Sequence, residues 1–465
     1  MLLFKNSLPW ACIFLLTGCV HYQPQPLAPE KSAAQFDARR LNDLGLRDFV
    51  ATNAAAEIKN WPPEKWGLNS LTLVAFYFHP NLAVARAQWR VAEAGVKTAG
   101  ARPNPSLTAT PGYDSGIPGN YSPWLIPVSL DVPLETAGKR GKRIAEAEKI
   151  AESARWDYVS SAWQIRSNVR ANLLDWSQAN RRAALLQQQL AIQTDIVKRL
   201  QQRLAAGEIS RPELTTAQIA RHKTQLDLSD AESKCTESRS RLAEALGLSL
   251  PALAGVNTSF EFSQAAPAGL TSAEARRAAL LSRSDLRAAL ADYAVADADL
   301  RLQIAKQYPD LHLGPGYAWN SGNAGDSQWS LGVTLELPIL DHNQGPIAEA
   351  KAQRELAAAK FTALQAQVIG EIDRAVSGYR VAAAQMQTST ALLAAEAGQQ
   401  KSAQAQLQAG EAEPLDFLSA QIEFTTAQLA RLDSAAKLQT ALGALEDALQ
   451  RPADSFNALK VLPDK

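Results

Sequence analysis

Leu204-Ala-Ala-Gly207-Glu-Ile-Ser-Arg-Pro-Glu213-Leu and Leu407-Gln-Ala-Gly410-Glu-Ala-Glu-Pro-Leu-Asp416-Phe are two versions of one turn, and each closes a long stretch with no internal proline. The first stretch lies between Pro133 and Pro212, and most of it, from about Arg143 to Ala206, reads as one helix. At the rise of an α-helix that is roughly 95 Å, far beyond an ordinary globular helix. The second runs from Pro346 to Pro414. Two rods, each reversing at a Gly-Glu turn, point to a duplicated hairpin.

After the first turn a return helix is expected from about Pro212 to Leu246, with proline in its first turn and Gly247 just past its end. Before the rod, Leu68–Tyr77 reads as a short apolar helix, broken at His79-Pro80-Asn81. Asn81 is the expected cap of a second helix running to about Gly100. Ser106–Tyr113 and Trp124–Val132 then alternate with period two around a Gly/Pro/Asn cluster, as a hairpin of roughly membrane-spanning length. Tyr113, Tyr121 and Trp124 near its ends suit a membrane interface. From Ser272 the same order returns. Asn81-Leu82 matches Asp285-Leu286, Leu130-Asp-Val-Pro-Leu matches Leu335-Glu-Leu-Pro-Ile, and Ile144-Ala-Glu-Ala-Glu matches Ile347-Ala-Glu-Ala-Lys, all at an offset of 203 to 205 residues. The second hairpin is expected at Pro309–Trp319 and Gln328–Leu337. Constant spacing over so many landmarks indicates an internal repeat. In the last helix Leu418, Ile422, Thr425, Leu429, Leu432 and Ala436 recur at threes and fours, a stripe narrow enough for a coiled-coil seam.

The organisation that follows is a signal peptide at 1–18, an extended arm at 19–67, a first repeat at 68–250, a linker at 251–270, a second repeat at 271–451 and a tail at 452–465. At the N-terminus, Lys5, an apolar run from Leu8 to Leu16 and then Leu16-Thr17-Gly18-Cys19 have the layout of a secretory signal. The small residues before the cysteine resemble a bacterial lipobox, which would leave Cys19 as a lipidated first residue. Val20 in place of an aspartate is compatible with passage to an outer membrane. Lys+Arg and Asp+Glu balance at 47 each, so the bulk charge carries no nucleic-acid footprint. The five histidines stand at no metal-ligand spacing, and no cofactor, metal or catalytic motif is expected. No enzyme activity is expected either.

Beyond residue 20 charges interrupt every apolar run, so a membrane crossing must use strands. Four strands cannot close a useful barrel, and lipid tolerates no open sheet edge, so several chains must pool theirs. Three chains give twelve strands, with their helices forming a cylinder on the side away from the hairpin tips.

This plan resembles the TolC-type outer-membrane efflux factor family, in the lipoprotein branch that serves pumps of the resistance-nodulation-division type. The resemblance runs from about Leu68 to Gln450 and rests on the paired Leu-x-x-Gly-Glu turns, the Pro-flanked hairpins, and the Leu-Ala-Glu-Ala-Leu and Leu-Glu-Asp-Ala-Leu ends of the return helices. It implies a mixed α and β membrane protein, a homotrimer with a 12-stranded β-barrel, four strands per chain, continued by a long α-helical periplasmic barrel. It also implies docking onto a periplasmic adaptor and an inner-membrane pump, of the resistance-nodulation-division type rather than the ATP-driven type, and a location in the outer membrane. The acidic gate of the family maps to Asp416, with Glu213 at the equivalent place in the first half. The basic partner of the family's latch would fall at Ala412, so closure must use other contacts, with Arg211 a candidate. Asp416 and Glu213 equally suit plain N-terminal acids on their helices. Leu204, Gly207, Leu407 and Gly410 mark the adaptor contact, the glycines also serving as C-caps. The expected function is a passive exit duct for drugs or metal ions. A duct for secreted proteins and a lipid-anchored periplasmic scaffold remain alternatives.

Overall fold

A computed structural model describes residues 21–53, 60–113, 115–116, 123–260, 262, 269–320 and 327–453. The expected signal peptide, Cys19, Tyr121 and residues 454–465 of the expected tail lie outside the described residues.

Two helices dominate. One, α5 (Lys139–Ala205), has 67 residues and its counterpart α9 (Gln344–Ala409) has 66, so each is about 100 Å long. Helix α5 starts four residues earlier than the sequence suggested. The left-handed pair Ala137 (φ 52) and Gly138 (φ 67) turns the chain directly from strand into helix. Return helices α6 (Arg211–Leu246) and α10 (Pro414–Leu449) pack along them.

Ahead of each rod lies a helix pair, α3 (Leu68–Phe78) and α4 (Pro80–Ala99) in the first half, α7 (Ala273–Ser282) and α8 (Ser284–Ala305) in the second. The expected cap at Asn81 is corrected. His79 caps α4, its Nδ1 accepting the Asn81 backbone N–H at 3.2 Å, because Pro80 fills the first turn and has no N–H to offer. The strands are β1 (Ser106–Ala109), β2 (Gly112–Tyr113), β3 (Trp124–Leu134), β4 (Leu311–Asn320) and β5 (Ser327–Leu335). Since β1 and β2 both pair with β3, they are two pieces of one strand interrupted at Thr110-Pro111. All pairing is antiparallel in the order β1-β3-β4-β5, so β3 and β4 join the two halves in one sheet.

The repeat is visible in the cores. Val169 and Leu173 of α5, with Leu242 and Leu246 of α6, are buried in the first. Ile372 and Val376 of α9, with Leu445 and Leu449 of α10, occupy the second, each exactly one repeat of 203 positions later.

The first core is the larger, because the arm joins it. The arm was expected to be extended, but it forms α1 (Pro29–Asp37) and α2 (Leu44–Asn53), and Leu41, Leu46, Val50 and Trp66 are buried. Short helices without long-range periodicity are hard to read from sequence, and these are stabilised by packing. Arg39 fastens the arm, donating from Nη1 to the carbonyls of Phe78 and Gly247, each at 2.8 Å. The linker is pinned as well. Trp66 N–H donates to Asn257 O and Ser259 N–H to Trp66 O, while Ala252, Leu253 and Phe260 are buried.

The expected stripe on α10, which runs on from Leu415 through Gln439, Leu442 and Leu445 to Leu449, is buried at Leu418, Thr425, Leu432, Ala436 and from Gln439 onward, and half-buried at Leu415, Ile422 and Leu429. Past Leu432 the buried set widens to Ala435, Leu438, Gly443, Glu446 and Ala448, because α10 packs there on α5 as well as on α9. This α5–α10 seam is polar, and near Glu446 it is buried. Arg166, 1% exposed, donates to Glu446 at 3.0 Å, and Arg170 Nε lies 3.4 Å from the same carboxylate oxygen. Arg170 also donates to Gln439 O at 2.8 Å. Gly443 makes room for it, since a Cβ there would collide with the guanidinium. Asp447 accepts from Trp163 Nε1 at 3.0 Å and Ser167 Oγ at 2.5 Å, and burial pushes its carboxyl above the usual range.

Removing the shared acid alone, Glu446→Leu, strands two buried guanidiniums and is expected to cost about 3–5 kcal/mol. Pairing it with Arg166→Met should restore much of the loss. Denaturant unfolding in detergent checks both, and a single variant as stable as the parent would show that the pair contributes nothing.

Candidate functional site

Two regions of the chain are built in ways its packing does not explain, and they lie at opposite ends of the rods. The first is the sheet. From the registers, one face carries Leu107 and Tyr113, every even-numbered residue of β3 from Trp124 to Leu134, Leu311, Leu313, Pro315, Tyr317 and Trp319 of β4, and Trp329, Leu331, Val333 and Leu335 of β5. Every one of these is apolar or aromatic, and the register adds one polar residue to the face, Ser327 at the start of β5 opposite Trp319. The opposite face is polar or small, with Ser106, Thr108, Ser129, Asp131, His312, Ser330 and Thr334, plus glycines at 314, 316 and 332. Leu125, Ala318 and two prolines are its apolar members.

The apolar face is uncovered in the single chain, Trp329 being 80% exposed, Leu331 71% and Val333 60%. A water-soluble protein does not leave a whole sheet face of this kind open. The β3 strand spans 11 residues, about 35 Å, which tilted is close to the apolar band of a membrane barrel. Its aromatics gather toward the end away from the helices, Tyr113 against Trp124 at 5.3 Å and Tyr317 against Trp329 at 4.8 Å between ring centroids. Tyr113 and Trp124, the two described residues of those expected at an interface, are among them. Among the described residues no helix is long and apolar enough to cross a membrane, and no cluster of three or more His, Cys, Asp or Glu gathers as a metal site.

The second region is the pair of turns. Gly207 and Gly410 both have φ 77, and a Cβ at either would meet nothing within 4 Å, so it is the backbone conformation that calls for glycine. The following N–H closes each turn, Glu208 onto Arg203 O and Glu411 onto Gln406 O, both at 2.9 Å. Leu204 and Leu407 are half-buried beneath them.

Both candidate gate acids act as caps. Glu213 accepts from Ser210 N–H at 3.4 Å and from its Oγ at 2.8 Å, and Asp416 accepts from Glu413 N–H at 3.1 Å, the backbone bond completing a capping box in each case. The two turns are tied together by Arg203, which reaches Glu208 at 3.2 Å and Glu413 at 2.9 Å. The Glu413 carboxylate, then Glu208, raises the Arg203 guanidinium above its ordinary value. Sequence reasoning pointed to Arg211 for such a contact and passed over Arg203, whose partner lies 210 residues away. The only available signal was its place one turn before Gly207.

Known proteins share this architecture. The sequence profile of the outer membrane efflux protein family matches residues 78–248 and 275–450. The chain is 27% identical over 288 residues to the cobalt-zinc-cadmium resistance protein CzcC of Cupriavidus metallidurans, a match covering 61% of this chain and 65% of that one. It is 25% identical over 348 residues to the nickel-cobalt-cadmium resistance protein NccC of Alcaligenes xylosoxydans xylosoxydans, covering 72% and 74%. The crystal structure of the outer membrane protein VceC of Vibrio cholerae superposes with a TM-score of 0.66 at 18% identity, covering 83% of this chain and 97% of that one. The two matched segments coincide with the two structural repeats, and together they make the chain a member of the outer membrane efflux protein family.

Proposed function

We propose that three copies of this chain close a 12-stranded barrel in the outer membrane, continued by a helical periplasmic tube, and that the assembly is the passive exit duct of a tripartite efflux system. The observation that carries this reading is the sheet, with one face apolar but for Ser327 at its rim and outer strands, β1/β2 and β5, that have no further partner among the described residues. An open edge is not tolerated in lipid, so β5 of one copy must pair with β1 of the next. Polar and glycine residues then line the lumen while the apolar face meets lipid. A periplasmic scaffold would have no use for that face.

The duplication supports the same closure. Inside the chain, first-half β3 and α5 meet second-half β4 and α10. The repeat of that join, β5 and α9 against β1 and α6, is not made with comparable packing within one chain. It is supplied by the next copy, a head-to-tail contact that closes on itself.

The energy source lies elsewhere, in an inner-membrane pump of the resistance-nodulation-division type reached through a periplasmic adaptor. Relatives named for cobalt, zinc, nickel and cadmium resistance support metal cations as cargo. The assembly needs no cofactor, and Cys19 carries a lipid that anchors the arm at the membrane. At the far end Leu204, Gly207, Leu407 and Gly410 present two rigid turns to the adaptor. Asp416 supplies a threefold ring of carboxylates at the constriction, with Glu213 the corresponding acid of the first half.

Three experiments test the assembly. Within the chain Ser167 contacts Asp447, so the repeat offset of 203 places Gly370 of one copy beside Glu244 of the next. A Gly370→Cys, Glu244→Cys double variant lacking Cys235 should form disulfide-linked dimers and trimers on oxidation. Monomer alone would count against the ring. Asp416→Ala should raise single-channel conductance and lessen cation selectivity, whereas a purely capping role predicts only a loss of about 1 kcal/mol of helix stability with conduction unchanged. Leu204→Asp or Leu407→Asp should leave oligomers intact and abolish pump-dependent resistance. Full resistance would place the adaptor contact elsewhere.

A further inference from the structure

In the described strand residues Asp131 and His312 are the only ionisable side chains apart from tyrosines. They come from different halves of the chain and meet because β3 pairs with β4. His312 Nδ1 lies 3.0 Å from Asp131 Oδ2. Both belong to the polar face of the sheet, near the end where the strands run into the long helices. The backbone opposite them is bare, Gly314 standing beside Asp131 and facing Gly332 on β5. Neither side chain is buried, at 40% exposed for His312 and 47% for Asp131.

The neighbouring charges are already engaged. Lys139, at the start of α5, holds Asp310 at 2.8 Å, and Arg143 holds Glu135. Their neighbours across the polar face are uncharged, Ser106 on β1 beside Asp131 and Thr334 on β5 beside His312. Glu336, just past the end of β5, is the other acid at this level.

We propose that the Asp131–His312 pair is the cation-selecting element of the barrel interior, and that protonation of His312 switches it off. The proposal rests on the closed-barrel reading above, which puts this face in the lumen. With the imidazole neutral, each protomer presents one net negative charge to a passing ion, and a closed trimer presents three. With imidazolium the pair is neutral, and what remains is Glu336 within the barrel and, in series with it, the Asp416 ring at the far end of the tube. Charge on the wall of a narrow, low-dielectric channel acts strongly on permeating ions, because field lines are focused through the water. The Nδ1 contact holds the imidazole over the carboxylate, so the two groups act as one site. A histidine is the side chain suited to change charge between about pH 5 and 8. The pair therefore makes the duct favour cations while the imidazole is uncharged and relaxes that preference once it is protonated.

The test is the reversal potential of the full-length protein in planar bilayers under a KCl gradient, at about pH 8 and about pH 5. The parent should lose several-fold of its cation preference on acidification. Asp131→Asn should keep only a reduced cation preference that does not change between the two pH values, and His312→Gln the full preference at both, with conductance retained in each. A parent whose selectivity does not change with pH, or a His312→Gln channel that still titrates like the parent, would overturn the proposal while leaving the barrel standing. Failure of the parent to form any channel would overturn the barrel reading and this proposal together.

Discussion

A four-stranded sheet whose one face is apolar almost throughout cannot end at its own edges, and most of the chain follows from that constraint. In water the face would be an aggregation surface. In lipid the unpaired N–H and C=O groups of the outer strands would each cost several kcal/mol. On the proposed reading, a chain with four strands among its described residues offers to a neighbour the same join that it makes within itself. Duplication is the economical way to do this. Whatever fits the first half to the second will, approximately, fit the second half to the first half of another copy.

The fit is only approximate, and the differences have a direction. Along the seam inside the chain, α5 sends Arg166, Arg170, Arg182 and Arg203 toward Glu446, Gln439, Asp433 and Glu413 of α10. One repeat later the α9 positions are Ile369, Asp373, Gln385 and Gln406. None is basic, and Asp373 is taken by Arg276. The internal seam is thus held by paired guanidiniums, and the corresponding surface for a second copy is not. The buried members near Glu446 specify how the halves sit, since an unpaired charge there is costly. The exposed pairs at Asp433 and Glu413 add little stability and mainly set alignment.

At the turns, one set of residues meets two demands. Glycines at φ 77 reverse each rod, proline and a capping box start each return helix, and Arg203 joins the two reversals. Asp416 and Glu213 are held by hydrogen bonds from their own cap residues, beside the turns that end the rods. A fixed acid repeated by symmetry is what a selective constriction needs, and capping and gating are compatible roles for one carboxylate.

The rods, their turns, the hairpins and the repeat were legible in the sequence because each depends on local signals: absence of proline, glycine at a left-handed position, period-two alternation, and a constant offset between landmarks. The one-sidedness of the sheet was implicit in that alternation. Other features needed the tertiary structure, because they depend on residues far apart in the chain. The arm became helical only against the first core, as Leu46 and Val50 show. His79 took the cap assigned to Asn81. Arg203 found Glu413, and Arg166 found Glu446. Asp131 met His312 only when β3 paired with β4, a register that no single hairpin specifies, because strand pairing between halves is fixed by closure of the whole sheet and not by the turn at either end.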